Sequence, residues 1–281
     1  MKKQQWILVA VATVLFCGLY FFGNTVNPQK PVISAANNSE QPVSNLSTQD
    51  VLTKSKQGLN ATQQQKLSQM ENSVVRGDVH NQQIQIDHQL ASYWMDSLHN
   101  EEIGAYYAGE AAKLENSEKN LTFAAHLLLD NMMATSDVAM QHWLATQAKE
   151  LFEIALKLNP QNDSSKIGLG ACYMFGNISE NPMQGILAIK EIADKNPDNI
   201  YAQMMLGLGG IQSGQYDKAA ERFLNVIKIQ PDNIEAILNL AQVYDRQNDK
   251  ANAIKWYNEG LKYIQVPEAR NEIQARIKSL Q

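Results

Sequence analysis

Two consecutive stretches near the C-terminus align with each other, without a gap, at a distance of 34 residues. Residues 200–231 read IYAQMMLGLGGIQSGQYDKAAERFLNVIKIQP, and residues 234–265 read IEAILNLAQVYDRQNDKANAIKWYNEGLKYIQ. The aligned pairs keep their size and polarity: Leu206 with Leu240, Ala219 with Ala253, and Phe223 with Tyr257. One such unit cannot bury its own apolar face, so several must stack, and the stack forms a curved surface suited to holding another polypeptide. The repeat therefore favours binding over catalysis.

The first unit resembles the tetratricopeptide repeat (TPR) family in both period and residue pattern. The residues that carry the resemblance are Leu206, Gly207, Tyr216, Ala219, Phe223 and Pro231. Two positions depart from the pattern, because Gln203 replaces its Trp and Gly210 replaces its Tyr. The resemblance implies an all-α protein, a right-handed α-solenoid of TPR-like helix pairs.

Weaker copies of the pattern extend upstream. Leu169, Gly170 and Tyr173 restore the first-helix signature, with an insertion at 176–183 between the two helices of that pair. The pair before it combines a first helix at 122–132, a long connection, and a second helix that carries Ala148, Phe152, Ala155 and Pro160. The earliest candidate pair is 82–99 with 101–114, and residues 267–281 form a C-terminal capping helix. We expect four or five helix pairs in a repeat domain that spans residues 81–281.

Residues 6–22 are uncharged and largely apolar, and Lys2 and Lys3 precede them. A helix of this length spans roughly 26 Å, near the lower limit for crossing a bilayer. We assign 1–23 as a signal anchor, a single transmembrane helix with its N-terminus in the cytoplasm. A cleaved secretory signal and a lipoprotein signal ending at Cys17 are the alternatives. The corresponding localisation is the bacterial inner membrane, with the repeats in the periplasm.

Residues 24–80 are rich in Gln, Asn, Ser and Thr, and aromatic residues vanish after Phe22. This composition is typical of a polar linker that holds the repeats away from the membrane. Two segments, 49–59 and 61–75, have the pattern of short helices. Their docking on the repeats is left open by the sequence.

The sequence contains no recognisable catalytic, metal or cofactor constellation. No two of its five histidines stand at the i, i+4 spacing of a helical metal pair, and its glycine-rich runs lack the Lys-Ser/Thr of a phosphate loop. Its formal net charge of −5 disfavours nucleic acid as a partner. We predict a non-enzymatic protein without cofactors.

The resemblance implies that the first helices line the concave side of the solenoid, where a partner would bind. The predicted partner-binding residues are Ile167, Ala171, Met174, Tyr201, Met204, Met205, Leu208, Ile211, Leu238, Asn239, Gln242 and Arg246. Glu235 belongs to the same register. The family positions that clamp a peptide C-terminus with Lys and Asn do not match here, which disfavours that mode of binding. The apolar residues either form an adaptable, Met-lined groove or pack on neighbouring helices.

The predicted function is a scaffold or adaptor, anchored in the inner membrane, that binds a protein or peptide of unknown identity on a concave, partly apolar face. Two alternatives remain open. The protein is a homo-oligomeric, for example dimeric, structural component of the cell envelope. In the second alternative, the protein is an accessory factor of envelope assembly, for example of cytochrome c maturation, because its layout resembles that of such factors.

Overall fold

The described part of the chain is built from consecutive α-helices. The computed structural model describes residues 46–73, 77–179 and 181–281, and no β-strand lies in these ranges. The helices are α1 (Thr48–Gln57), α2 (Ala61–Glu71), α3 (Val79–Ser92, continued by a π-helical turn at Tyr93–Ser97), α4 (Glu101–Glu115), α5 (Glu118–Ala134), α6 (Val138–Leu158), α7 (Asp163–Phe175), α8 (Met183–Lys195), α9 (Ile200–Gln212), α10 (Tyr216–Ile229), α11 (Ile234–Arg246), α12 (Lys250–Gly260) and α13 (Pro267–Leu280). The all-α prediction is confirmed for these residues.

The predicted membrane segment at 6–22 and Cys17 lie outside the described residues. Across the ranges that the structure does describe, none of the helices combines the length and apolar character needed to cross a bilayer.

Asparagine side chains begin the first helices of the last three pairs. The Oδ1 atoms of Asn162, Asn199 and Asn233 accept from the backbone amides three residues later, at 3.0, 3.0 and 2.9 Å. Each follows a proline that stands two residues after the preceding helix ends. Proline cannot continue a helix, and the Asn oxygen satisfies one of the free amides of the next one. The capping role predicted for these NPxN and QPDN segments is confirmed.

The helices from α3 onward pack as consecutive antiparallel pairs. The pairs are α3–α4, α5–α6, α7–α8, α9–α10 and α11–α12, and α13 packs on α12 as the terminal cap. This agrees with the upper end of the expected count. The connection between α7 and α8, residues 176–182, lies within the insertion predicted at 176–183.

The long connection expected within the second pair is wrong. Both helices extend further than their sequence pattern suggested, so only residues 135–137 separate α5 from α6. Asp137 explains the early start of α6, because its Oδ1 accepts from the amides of Ala139 at 2.9 Å and Met140 at 3.2 Å. One short polar cap is enough to begin a helix whose apolar pattern becomes clear only later.

The two helices in the polar segment before the repeats dock on the repeats. Val51 of α1 and Leu67 of α2 are almost fully buried, at 2% and 1% exposed, in the same core cluster as the first pairs. The indole Nε1 of Trp143 in α6 donates to Thr48 Oγ1 at 3.1 Å. Within the range assigned to the linker, residues 48–71 are therefore part of the packed structure.

Small residues allow the helices of a pair to approach closely. A Cβ atom at Gly207 in α9 would lie 2.6 Å from Cε1 of Phe223 in α10, whose side chain is fully buried. A Cβ at Gly170 would similarly lie 2.9 Å from the backbone oxygen of Gly185. Interior packing is dense, so these positions tolerate no side chain without displacing a neighbour.

Candidate peptide-binding surface

The first helices of the later pairs form one continuous layer. Along the stack, α5 contacts α7, α7 contacts α9, and α9 contacts α11, whereas α8, α10 and α12 make no comparable contacts with one another. Helices that touch along a stack lie on the inner side of its curvature. The first helices therefore line the concave side, as the family resemblance implied.

Many of the predicted partner-binding residues are used for internal packing. Ile167, Ala171 and Met204 are buried and cannot touch a partner in this structure, and Met174 is only 9% exposed. The partly exposed ones are Tyr201, Met205, Leu208, Ile211, Leu238 and Asn239, and the exposed ones are Gln242 and Arg246. Met205 and Leu208 pack against the buried cores. The expected methionine-lined surface is thus largely interior, because α9 packs against helices on both sides and uses its apolar residues there.

An aromatic bridge closes the floor of the concave side. The ring of His126 in α5 meets Tyr201 of α9 edge to face, with centroids 5.4 Å apart, and meets Phe152 of α6 at 5.2 Å. His126 Nε2 lies 2.8 Å from the hydroxyl oxygen of Ser164 in α7. Side chains of the second, third and fourth pairs therefore meet at one place.

Two carboxylates lie beside this bridge without a partner. Asp130 of α5 and Glu235 of α11 are exposed, yet both have raised pKa values, chiefly because their surroundings desolvate them. The charge of Asp130 raises the pKa of Glu235 further. A side chain that is accessible to solvent and still desolvated lies in a concavity.

No cation neutralises this pair at neutral pH. Among the described residues, neither carboxylate forms a hydrogen bond or an ion pair. His126 is the basic group that acts on Asp130, and burial lowers the pKa of His126, which favours the neutral imidazole. The concave side therefore carries two unpaired negative charges.

The phenol of Tyr201 is a second unsatisfied group at the same place. Its hydroxyl oxygen is buried and has no hydrogen-bond partner among the described residues. Desolvation raises the Tyr201 pKa, and the charge of Asp130 contributes to the shift. Buried polar atoms almost always have a partner in native proteins. The buried hydroxyl of Tyr201 therefore lies within the electrostatic influence of Asp130.

Glu235 and Tyr201 belong to the predicted concave register, whereas Asp130 does not. One signal could have identified it. His126 and Asp130 are the polar residues of TFAAHLLLDNM that interrupt its apolar run, and their i, i+4 spacing puts them on one face of a helix.

The thiol of Cys172 and the acidic side chains do not form a reactive centre. Cys172 is fully buried, and burial raises its pKa to about 12. The described residues include no group of three or more His, Cys, Asp or Glu side chains placed to hold a metal ion. The groups described on the concave side are charged and hydrogen-bonding side chains.

Comparison with known proteins identifies the architecture. A family model described as Regulator of microtubule dynamics protein 1-3 matches residues 200–281, which are the last two helix pairs and α13. No curated protein matches the chain.

Several solved structures are similar to the chain. The protein TTC0263, a thermophilic TPR protein in Thermus thermophilus, is 17% identical over 70% of this chain and 98% of its own, with a TM-score of 0.52. MamA from Desulfovibrio magneticus RS-1 is 18% identical over 67% of this chain and 97% of its own, with a TM-score of 0.43. PilW, a type IV pilus biogenesis factor, is 17% identical over 72% and 94%, with a TM-score of 0.47. The likeness to TTC0263 confirms that the chain has the tetratricopeptide repeat fold.

Proposed function

We propose that this protein is an interaction scaffold whose concave side binds a cationic segment of a partner protein. A Lys or Arg side chain of the partner would lie between Asp130 and Glu235. The observation that carries the proposal is that both carboxylates are desolvated and unpaired on the inner layer of helices.

The electrostatics favour a positive charge at this place. Each carboxylate is destabilised in its charged form, as its raised pKa shows, and each lacks a cation. A guanidinium or ammonium group between them would stabilise both, and in a partly desolvated site this attraction exceeds that of a surface ion pair. An arginine fork would suit two acceptors that lie on different helices.

The neighbouring groups suit a peptide rather than a bare ion. Leu238 and Asn239 are partly exposed on α11 and lie one helical turn after Glu235. These provide an apolar contact and an amide beside the charged pair, which is the composition of a peptide-binding surface.

We further propose that the scaffold is anchored in the inner membrane. Residues 6–22 with Lys2 and Lys3 in front support an inner-membrane anchor with the repeats in the periplasm. A periplasmic phosphatase fused after residue 281 should then be active. Inactivity of that fusion, together with activity of a cytoplasmic reporter at the same position, would refute this orientation while leaving the binding proposal intact.

The binding proposal is tested by photo-crosslinking in cells. A photoreactive amino acid replaces Gln242, which is exposed on α11 in the concave layer, and the adducts are analysed by mass spectrometry. We expect one dominant partner, crosslinked through a segment that contains Lys or Arg. The double variant Asp130→Asn, Glu235→Gln keeps the shape of both side chains and should remove most of this adduct.

Two controls make the result decisive. The same photoreactive residue at Lys255, exposed on α12, should not give the adduct. The substitutions Asp163→Asn and Glu272→Gln change two other exposed acids and should not affect it. Adducts that survive the double variant would refute the role of the carboxylates. Adducts of the protein only with itself would favour the homo-oligomeric alternative.

A further inference from the structure

A pocket of about 310 Å³ lies between the third and fourth helix pairs, apart from Asp130 and Glu235. Three apolar side chains, those of Met174, Ile186 and Leu206, contribute to its wall. The other lining residues are Lys190, Gly209, Gly210, Ser213, Gln215, Lys218, Glu221 and Arg222. Three cationic residues and one acidic residue thus surround an apolar wall, in a chain whose overall charge is negative.

Two consecutive glycines of α9, Gly209 and Gly210, line the pocket. Gly210 occupies the position at which the repeat pattern has a Tyr. A Cβ atom there would lie 3.0 Å from the Cβ of Ala219, and one at Gly209 would lie 2.4 Å from Cε of Met174. Both positions are therefore closely packed against neighbouring side chains, and Gly210 leaves no room for the aromatic residue of the pattern.

The second departure from the pattern acts on the same pocket. Gln203, at the Trp position, is only 1% exposed. Its Nε2 donates to the carbonyl oxygen of Pro197 at 2.8 Å, and its Oε1 accepts from Nη1 of Arg222 at 3.0 Å. A buried amide that is itself held by the backbone thus fixes the guanidinium of a residue that lines the pocket.

Two of the three cationic side chains of the pocket form no ion pair with other described residues. Arg222 makes no ion pair among the described residues, and its hydrogen bond to Gln203 occupies one of its five donors. Lys218 donates to the neutral Gln215 at 2.7 Å, whereas Lys190 is paired with Asp194 at 2.6 Å. Arg222 and Lys218 remain available to an anion.

We propose that this pocket binds a carboxylate carried on a short apolar chain. The carboxylate pairs with Arg222 and Lys218, and the chain packs on Met174, Ile186 and Leu206. A preorganised guanidinium binds a carboxylate with two parallel hydrogen bonds, and the volume is at the small end of ligand pockets. Two sources have this chemistry, a short fatty acid and the C-terminal residue of a peptide.

The test measures binding of two probes to the full-length protein in nanodiscs by saturation-transfer NMR. The probes are hexanoate and the peptide acetyl-Gly-Gly-Leu, each compared with its neutral amide. We expect at least one acid to bind with a Kd of about 0.1–1 mM, as its few non-hydrogen atoms allow. Its amide should bind at least tenfold more weakly. Tighter binding of the peptide would identify a protein C-terminus as the source, and tighter binding of hexanoate a fatty acid.

Variants assign the binding to the pocket. Arg222→Gln should weaken the acid at least tenfold, and Gln203→Met, which frees the guanidinium, should weaken it severalfold. Lys228→Gln on the same helix is the matched control, because Lys228 is exposed and does not line the pocket. If Arg222→Gln fails to fold, Lys218→Gln on the rim provides the same measurement.

Equal binding of acids and amides would overturn the proposal. So would a loss of affinity in Lys228→Gln as large as that in Arg222→Gln, or the absence of saturation transfer to either acid. Asp130→Asn, Glu235→Gln should leave the affinity for the acids unchanged, so this proposal and that of the cationic partner fail or succeed separately.

Discussion

Replacement of Gly207 by Ala tests whether close contact between α9 and α10 stabilises the fourth pair. The added Cβ would lie 2.6 Å from Cε1 and 2.7 Å from Cζ of Phe223. Carbon atoms pack best at roughly 3.5–4.0 Å, so the ring would have to move by about 1 Å. Phe223 is fully buried among Ala219, Val226 and Leu240, which leaves it little room.

Two opposing effects set the size of the change. Alanine is favoured over glycine inside a helix by about 1 kcal/mol, whereas overpacking of a well-filled core costs about 1–3 kcal/mol. Because the added Cβ would meet a fully buried ring, the steric cost should lie in the upper part of its range, about 2–3 kcal/mol, and we expect Gly207→Ala to lower the free energy of unfolding by about 1–2 kcal/mol. Urea denaturation of the intact protein, followed by far-UV circular dichroism, measures the change.

A double-mutant cycle separates the contact from other effects. Leucine lacks the outer ring atoms, so Gly207→Ala should cost less in the Phe223→Leu background, with a coupling of about 1–2 kcal/mol. Gly58→Ala is the control, because a Cβ there meets nothing within 4 Å, and this variant should be neutral or slightly stabilised. Wild-type stability of Gly207→Ala, or strict additivity in the cycle, would refute the reasoning.

Three further changes have expected outcomes. Asp130→Asn and Glu235→Gln should each stabilise the fold at about pH 7, because folding raises both carboxyl pKa values. The gain should vanish below about pH 3, where both acids are protonated in the folded and in the unfolded state. Urea denaturation at the two pH values checks this. Trp143→Phe removes the donor to Thr48, so it should lower the free energy of unfolding by about 1 kcal/mol. It should also speed amide hydrogen exchange in α1 more than in α12, and equal effects on the two helices would contradict the prediction. Arg270→Met removes two hydrogen bonds to backbone carbonyls in the loop after α12. The amides of α13 should then lose protection from hydrogen exchange, and the free energy of unfolding should fall by about 1–2 kcal/mol. Neither change is expected if α13 docks through its apolar residues alone.

The boundaries of the later helices could be predicted because their causes are local. The proline two residues after each helix and the Asn that caps the next act within one turn of chain. Pairing of α9 with α10 and of α11 with α12 followed from the 34-residue period. The prediction was less accurate for α5 and α6, where a single cap at Asp137 replaced the expected long connection.

The binding surface could be predicted only in outline. The family register identified the concave helices, but it could not distinguish Met204, which is buried, from Met205, which is partly exposed. That difference depends on how closely neighbouring pairs pack. Asp130 was overlooked because its importance comes from Glu235, a residue far away in sequence.

The sequence by itself determined the repeat, its helices and their order, because period, apolar spacing and caps are properties of short segments. Only the tertiary structure decided which groups meet: His126 with Tyr201, and Gln203 with Arg222, which lines the pocket between the third and fourth pairs. The physical reason is that the curvature of a stack comes from contacts between side chains of different repeats. A single substitution, such as Gly for Tyr, changes those contacts without altering the helical pattern around it.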